Sequence, residues 1–341
     1  MRLVARRTLA LVAVLAGVGA ARAAAQQTPP QITVGGVVLA QYAYQLKDTA
    51  NHYNAFDVTR AYLNVIGKFS GGLMTRITTD IYRAGDSSTV VRLKYAYLAW
   101  TPDKSPLTYR FGLTQTPWID YEESLYDYRM QGPTALDRNG YLTSSDFGAA
   151  ADGSWNQDKF NFQAGVYNGE GYGKGTGDQR KDVSARASLR LMDTDDNSKV
   201  GGLRLTAFGE IGAPTGGGAR DRVSGQVSYK SKQLTLAGEY TAASDSVVAS
   251  TSTTKGSILS AFGVYKLPAS KVALVARLDV VDPNTSTSGD KQTRIIAGVS
   301  YQVTPNWRAM VDLDNLSYES TPTATQEAKR STLYFHNQLT F

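Results

Sequence analysis

The feature that most constrains this chain is a two-residue alternation of apolar and polar side chains, repeated from end to end. Leu73, Ile77 and Ile81 alternate with Arg76, Thr78 and Asp80, and Val91, Leu93, Tyr95 and Tyr97 with Arg92, Lys94 and Ala96. Leu107, Tyr109, Phe111 and Leu113 alternate with Thr108, Arg110 and Gly112. Val183, Ala185, Ala187, Leu189 and Leu191 do the same with Ser184, Arg186, Ser188 and Arg190. Successive side chains on a strand point to opposite faces, so each segment predicts a strand with one apolar and one polar face. Helical patterns of the length usual in globular enzymes are almost absent.

Applied along the chain, the rule predicts sixteen strands. They fall near 32–46, 56–69, 72–83, 90–101, 107–114, 146–153, 158–168, 182–192, 201–212, 220–230, 233–242, 257–267, 271–281, 291–302, 306–318 and 331–341. The connections alternate in length. Those at 70–71, 102–106, 154–157, 231–232, 268–270 and 303–305 are tight; those at 47–55, 115–145, 169–181, 243–256, 282–290 and 319–330 are longer. The links 84–89 and 213–219 are intermediate, and the turn 193–199 is longer than its class. Short turns on one side and long loops on the other predict an all-β fold: a transmembrane antiparallel β-barrel of the bacterial outer membrane, both termini in the periplasm. Such a barrel must close, because an open edge in lipid leaves backbone groups unsatisfied at a cost of roughly several kcal/mol each.

The tyrosines fit that reading. Tyr42, Tyr95, Tyr109, Tyr229, Tyr240, Tyr265, Tyr301 and Trp307 all share the apolar face by parity, many of them towards strand ends where amphipathic rings meet the membrane interface. In the last strand Leu333, Phe335, Leu339 and Phe341 alternate, and Phe341 is the final residue. A terminal aromatic strand of this kind resembles the signal by which outer-membrane barrels are recognised for insertion. A soluble β-sandwich is the competing reading.

The N-terminus predicts export. Arg2, Arg6 and Arg7 precede an apolar run from Leu9 to Ala20, and Ala23 to Ala25 give a small-residue cleavage pattern. Residues 1–25 are therefore expected to be a cleaved signal peptide and 26–341 the mature barrel; an uncleaved anchor helix is the alternative. The leader holds four of the 36 basic residues, so the mature chain carries 32 against 30 acidic ones, a net of +2. A near-neutral chain without a basic cluster argues against nucleic acid as a partner. There is no cysteine, so stability must come from packing and from the closed sheet.

Three segments resemble the porin superfamily, particularly its phosphate-selective branch: Arg60–Phe69 (RAYLNVIGKF), Lys94–Trp100 (KYAYLAW) and Arg110–Trp118 (RFGLTQTPW). The likeness covers mainly residues 32–155. It implies a passive channel, commonly a homotrimer, with a loop folded inward after the fifth strand.

The residues support that loop independently. The connection 115–145 is the longest, and its segment Pro117–Arg129 (PWIDYEESLYDYR) is too aromatic for a disordered tip. It is expected to fold into the lumen as a constriction; an outward lid is the alternative. The polar faces of the strands carry sixteen basic and eight acidic residues, the basic set including Arg60, Arg76, Arg92, Lys94, Arg110, Arg186, Arg190 and Arg204. Such an excess on a lumen wall raises local anion concentration, although the same arginines could serve only to solvate the interior. The loop points the other way, with Asp120, Glu122, Glu123, Asp127 and Asp137 against Arg129 and Arg138. That departs from the dense basic loop expected of a phosphate-selective channel.

Other signals carry little. Asp193 to Asn197 resembles a calcium loop, but Ser198 and Arg204 stand where Gly and Glu are needed. The alternate glycines 169–177 fit neither dinucleotide nor phosphate-loop spacing. Only two histidines exist, His52 and His336, and no G-x-S-x-G is present. The sequence therefore predicts a passive channel for small hydrophilic solutes and ions, anion-preferring, with no cofactor, no metal and no enzymatic activity; its partners are outer-membrane lipid and the solutes. The rivals are a phosphate- or oxyanion-specific channel, a closed structural or adhesive barrel, and a hydrolase that depends on His336.

Overall fold

The computed structural model describes residues 29–85, 88–174, 178–214, 217–248 and 252–341. The expected signal peptide lies outside the described residues. Sixteen strands follow one another: β1 Gln31–Gln45, β2 Asn54–Lys68, β3 Leu73–Arg83, β4 Thr89–Trp100, β5 Leu107–Gln115, β6 Ser145–Trp155, β7 Phe160–Tyr167 and β8 Asp182–Met192. The second half comprises β9 Gly202–Gly212, β10 Gly218–Lys230, β11 Leu234–Val247, β12 Thr253–Lys266, β13 Val272–Asp282, β14 Gln292–Thr304, β15 Trp307–Tyr318 and β16 Ser331–Thr340. Each pairs antiparallel with its sequence neighbours, and β16 pairs back onto β1, so the sheet is a closed barrel.

Strand limits differ most from expectation at β11 and β12, which run on through Val247 and begin at Thr253. There Ser244 faces Lys255 and Ser246 faces Thr253. The alternation is lost at these ends because strands that project past lipid into water need no apolar outer face.

The outer surface is apolar across every strand. Phe111, Val91, Leu98, Val223, Ile295 and Val311 are all exposed, Phe111 by 70%. An apolar belt of this extent matches the outward band of a membrane-spanning barrel. Aromatic rings collect at the turn side: Trp100 beside Tyr109 at 6.1 Å between centroids, Trp155 beside Phe160 at 5.7 Å, with Tyr265, Tyr301 and Trp307 exposed at the same level.

One expectation is corrected. Tyr95 and Tyr97 do not face lipid; they are buried inside the barrel at 4% and 5% exposure. The register of β3 against β4 slips here, Thr78 opposing Tyr95 and Thr79 opposing Leu93, so Lys94 is an extra residue. Such a bulge shifts every later side chain of the strand to the opposite face.

Candidate functional site

The interior is shaped by the connection between β5 and β6. It contains helix α1 (Ile119–Tyr126), a 3₁₀ turn at Arg129–Gln131 and helix α2 (Ala135–Arg138). Trp118, Tyr121 and Leu125 share one face at i, i+3 and i+7. Trp118 packs against Phe208 of β9 with ring centroids 5.4 Å apart and is fully buried together with Ile119, Leu136 and Ile258. Tyr126 packs on Phe262 of β12 at 4.6 Å, in a cluster that takes in Leu39, Val275 and Met310. Each such side chain contributes on the order of 1.5–3 kcal/mol of burial.

Polar contacts fix the loop to the same wall. The Tyr121 hydroxyl meets Ser188 at 2.9 Å and Thr206 at 3.1 Å, and the Tyr128 hydroxyl meets Ser300 at 2.8 Å. Lys230 donates to the carbonyls of Ser124 and Leu125 at the end of α1, at 2.9 and 3.2 Å. Arg308 donates to the Asp127 carbonyl at 2.7 Å and to its carboxylate at 3.1 Å. Cations at a helix C-terminus offset its exposed carbonyls. The loop therefore occupies the side of the lumen lined by β8 to β15 and β1.

This placement divides the predicted basic residues. Arg186 and Arg204 lie under the loop, at 6% and 0% exposure. Arg186 donates to the Pro117 carbonyl at 3.1 Å and to Asn161 at 2.8 Å; Arg204 donates to the Gly201 carbonyl at 2.8 Å. Arg190 is paired with Asp193 at 2.7 Å on the turn side. Arg186 and Arg204 thus satisfy buried carbonyls, and Arg190 pairs with an exposed turn carboxylate.

The remaining five stand on β2 to β5, where Arg60, Arg76, Arg92 and Arg110 are half-buried and Lys94 is buried. Arg60 and Arg92 share one carboxylate, Asp80, at 3.0 Å each. Arg110 pairs with Asp152 at 2.9 Å. Arg76 donates to Asn64 at 2.9 Å and Thr78 at 3.0 Å, and pairs with no carboxylate among the described residues. Lys94 sits over the rings of Tyr62 and Tyr95, at 4.7 and 5.6 Å. Five cations against Asp80 and Asp152 leave this wall at +3.

Opposite stand Asp120, Glu123, Asp137 and Arg129, a net of −2. Glu123 accepts Arg129 at 2.8 Å, and Asp137 lies 3.9 Å from the same guanidinium. Burial alone would raise Asp120, but Lys199, Arg110 and Arg76 outweigh it and hold this carboxyl below its ordinary range. Burial pushes Asp137 above the ordinary range, with Arg129, Lys94 and Arg60 pulling back only in part. Both acids thus feel the cations across the gap.

The other predicted loop residues do different work. Glu122 is buried at 1% exposure against Glu239, and burial with that neighbouring carboxyl raises it well above its ordinary value. Asp127 is taken by Arg308. His336 is buried 3.2 Å from Asp312, its ring stacked on Tyr334 at 5.0 Å, and no hydroxyl is bonded to it among the described residues. Sequence reasoning missed the tyrosines that back the wall cations: Tyr82 under Arg92 at 3.8 Å, Tyr95 under Arg76 at 4.5 Å and Tyr97 under Arg110 at 5.8 Å. Strand parity could have found Tyr62, two residues from Arg60, and Tyr82, two from Asp80.

A closed sixteen-stranded barrel with a loop laid inside it is an architecture seen before. Superposition on solved structures finds an anion-selective porin from Comamonas acidovorans at a TM-score of 0.68, with 15% identity over 92% of this chain and 100% of that one. The chain has the porin fold. The OmpF of Salmonella typhi, in complex with daunomycin, superposes with a TM-score of 0.65 at 14% identity over 91% of this chain and 97% of that one. The trimer form of OmpT from Vibrio cholerae does so at 0.64 and 12% identity, over 92% of this chain and 100% of that one. Neither a family model nor a curated protein matches the sequence.

Proposed function

We propose that this protein is a porin of the bacterial outer membrane: a passive, water-filled channel for small hydrophilic solutes and ions, with a preference for anions. The observation that carries the reading is the gap between a wall of Arg60, Arg76, Arg92, Lys94 and Arg110 and an acidic loop face, inside a barrel whose outside is apolar. Facing rows of opposite charge set a transverse field that orients dipolar solutes and passes both ion signs, while the net excess on the wall favours anions. The anion selectivity named for the Comamonas porin of the same fold agrees with this sign.

The turn side faces the periplasm in this reading, after export through the signal peptide 1–25, and the working form is a homotrimer, as named for one OmpT form. Phe341 serves as the insertion signal; it is 60% exposed at the turn side, where its backbone bonds Gly36 in both directions, at 2.8 and 3.0 Å. The likeness to phosphate-selective channels rests on three strand segments, and the acids at 120, 123 and 137 oppose phosphate specificity. Swelling of proteoliposomes in sugars of graded size tests the channel. Uptake that falls steadily with solute size supports a general porin; saturation by one solute supports a specific channel; no swelling by folded protein sinks the proposal.

A further inference from the structure

Tyr172 belongs to the connection between β7 and β8, five residues past the end of β7 at Tyr167. Its side chain nevertheless reaches β3 and β4. The hydroxyl accepts a hydrogen bond from Arg92 Nη2 at 2.7 Å and donates to Asp80 Oδ2 at 3.4 Å. The ring lies over the Arg92 guanidinium at 4.1 Å, while Tyr82 lies over it at 3.8 Å. Two rings that close cannot share one face, so the guanidinium is sandwiched. Asp80 holds its Nε at 3.0 Å, and a Cβ placed on Gly173 would lie 2.8 Å from Nη1. Arg92 is thus held by two rings and a carboxylate, with its side chain still 23% exposed.

The backbone of this segment stays beside the start of β6: the Asn168 amide donates to the Phe147 carbonyl at 2.8 Å, the Gly169 amide to Asp146 at 2.7 Å and the Tyr172 amide to the Ser145 carbonyl at 3.1 Å. The Tyr172 side chain alone reaches over β5 to β4 and β3 at the lumen mouth. It bounds a recess of about 380 Å³ together with Arg60, Asp137 and Tyr141, on the loop side of the charged gap.

We propose that Asn168–Gly173, through the Tyr172 side chain, is a second constriction that sizes solutes before they reach the charged gap, and that Arg92 is its anchor. The inference deepens the channel reading and rests on it. The property it assigns to this strap is the size cut-off.

The test is single-channel recording with poly(ethylene glycol) of graded size added at the loop side. Tyr172→Ala removes the clasp, and Arg92→Lys keeps the charge but loses the planar fork. Both are expected to raise conductance roughly 1.5- to 2-fold and to admit larger polymers. Tyr172→Phe, which keeps the ring and loses the hydroxyl, gives a smaller rise in the same direction and stands in should the alanine variant fail to fold. A polymer cut-off unchanged in the folded variants overturns the strap, as does an Arg92→Lys channel identical to wild type. A wild-type protein that folds but never conducts refutes the channel reading and the strap with it, whereas a conducting wild type with silent variants refutes the strap alone.

Discussion

Asp120 and Asp137 stand on the same face of the loop, yet their surroundings move them in opposite directions. Lys199, Arg110 and Arg76 hold Asp120 down against burial, while burial dominates at Asp137. On acidification Asp137 therefore takes up its proton first, at a pH above the ordinary carboxylate value of 3.8. Losing that negative charge leaves the positive wall less opposed, so anion preference rises in this window before Asp120 titrates. Reversal potentials measured from pH 7 downward should show the step, and Asp137→Asn should remove it by starting at the acid-side value. At this scale the sequence was legible wherever the two-residue period held, as at Arg60, Arg76 and Arg110. It misled at Tyr95 and Tyr97 because one extra residue at Lys94 inverts the parity, and nothing local in the sequence marks a bulge. The burial of Arg186 and Arg204 depends on where a loop some seventy residues away in sequence comes to rest, which no local pattern encodes.

The loop with α1 lies inside the barrel, and its attachment is mostly apolar. Trp118→Ala should cost the docked loop about 3–5 kcal/mol, seen as faster proteolysis between Pro117 and Arg138 and noisier open-channel current with the barrel intact. Glu122 sets a pH dependence on the same attachment. Its value in the folded protein is raised above the ordinary 4.5, by burial first and then by Glu239. Between those two values the folded form holds the proton and the unfolded form does not, so stability is full below about pH 4.5 and falls as pH rises towards the raised value. Thermal unfolding of the barrel from pH 5 to 8 should show this slope, and Glu122→Gln should flatten it; an equal slope in both proteins contradicts the assignment. The sequence predicted an ordered inward loop from its aromatic content, and the spacing of Trp118, Tyr121 and Leu125 already carried the helix, although a single turn or two is too short to stand out against sixteen strands.

Over the whole molecule, everything depends on the seam between β1 and β16. The seam is a ladder running from Val37 opposite Thr340 to Gln45 opposite Thr332, and Gly36 extends it with two bonds to Phe341; a Cβ there would lie 2.5 Å from the Phe341 ring and 2.6 Å from the Tyr62 carbonyl. Gly36→Val should therefore weaken the seam and lower the temperature at which the heat-modifiable mobility shift occurs, where Gly209→Ala, with open space beside it, should leave it unchanged. A closed barrel is what allows the two faces of every strand to diverge, apolar outside and charged within, and the proposed channel role rests on that charged interior. The most direct measurement of that claim is single-channel recording in a planar bilayer under a potassium chloride gradient. The account predicts open, ohmic steps with a reversal potential on the anion-selective side, and an Arg76→Glu/Arg110→Glu variant whose reversal potential moves towards cation selectivity. Folded protein that gives no conductance, or a reversal potential set by cations in the wild type, would contradict it.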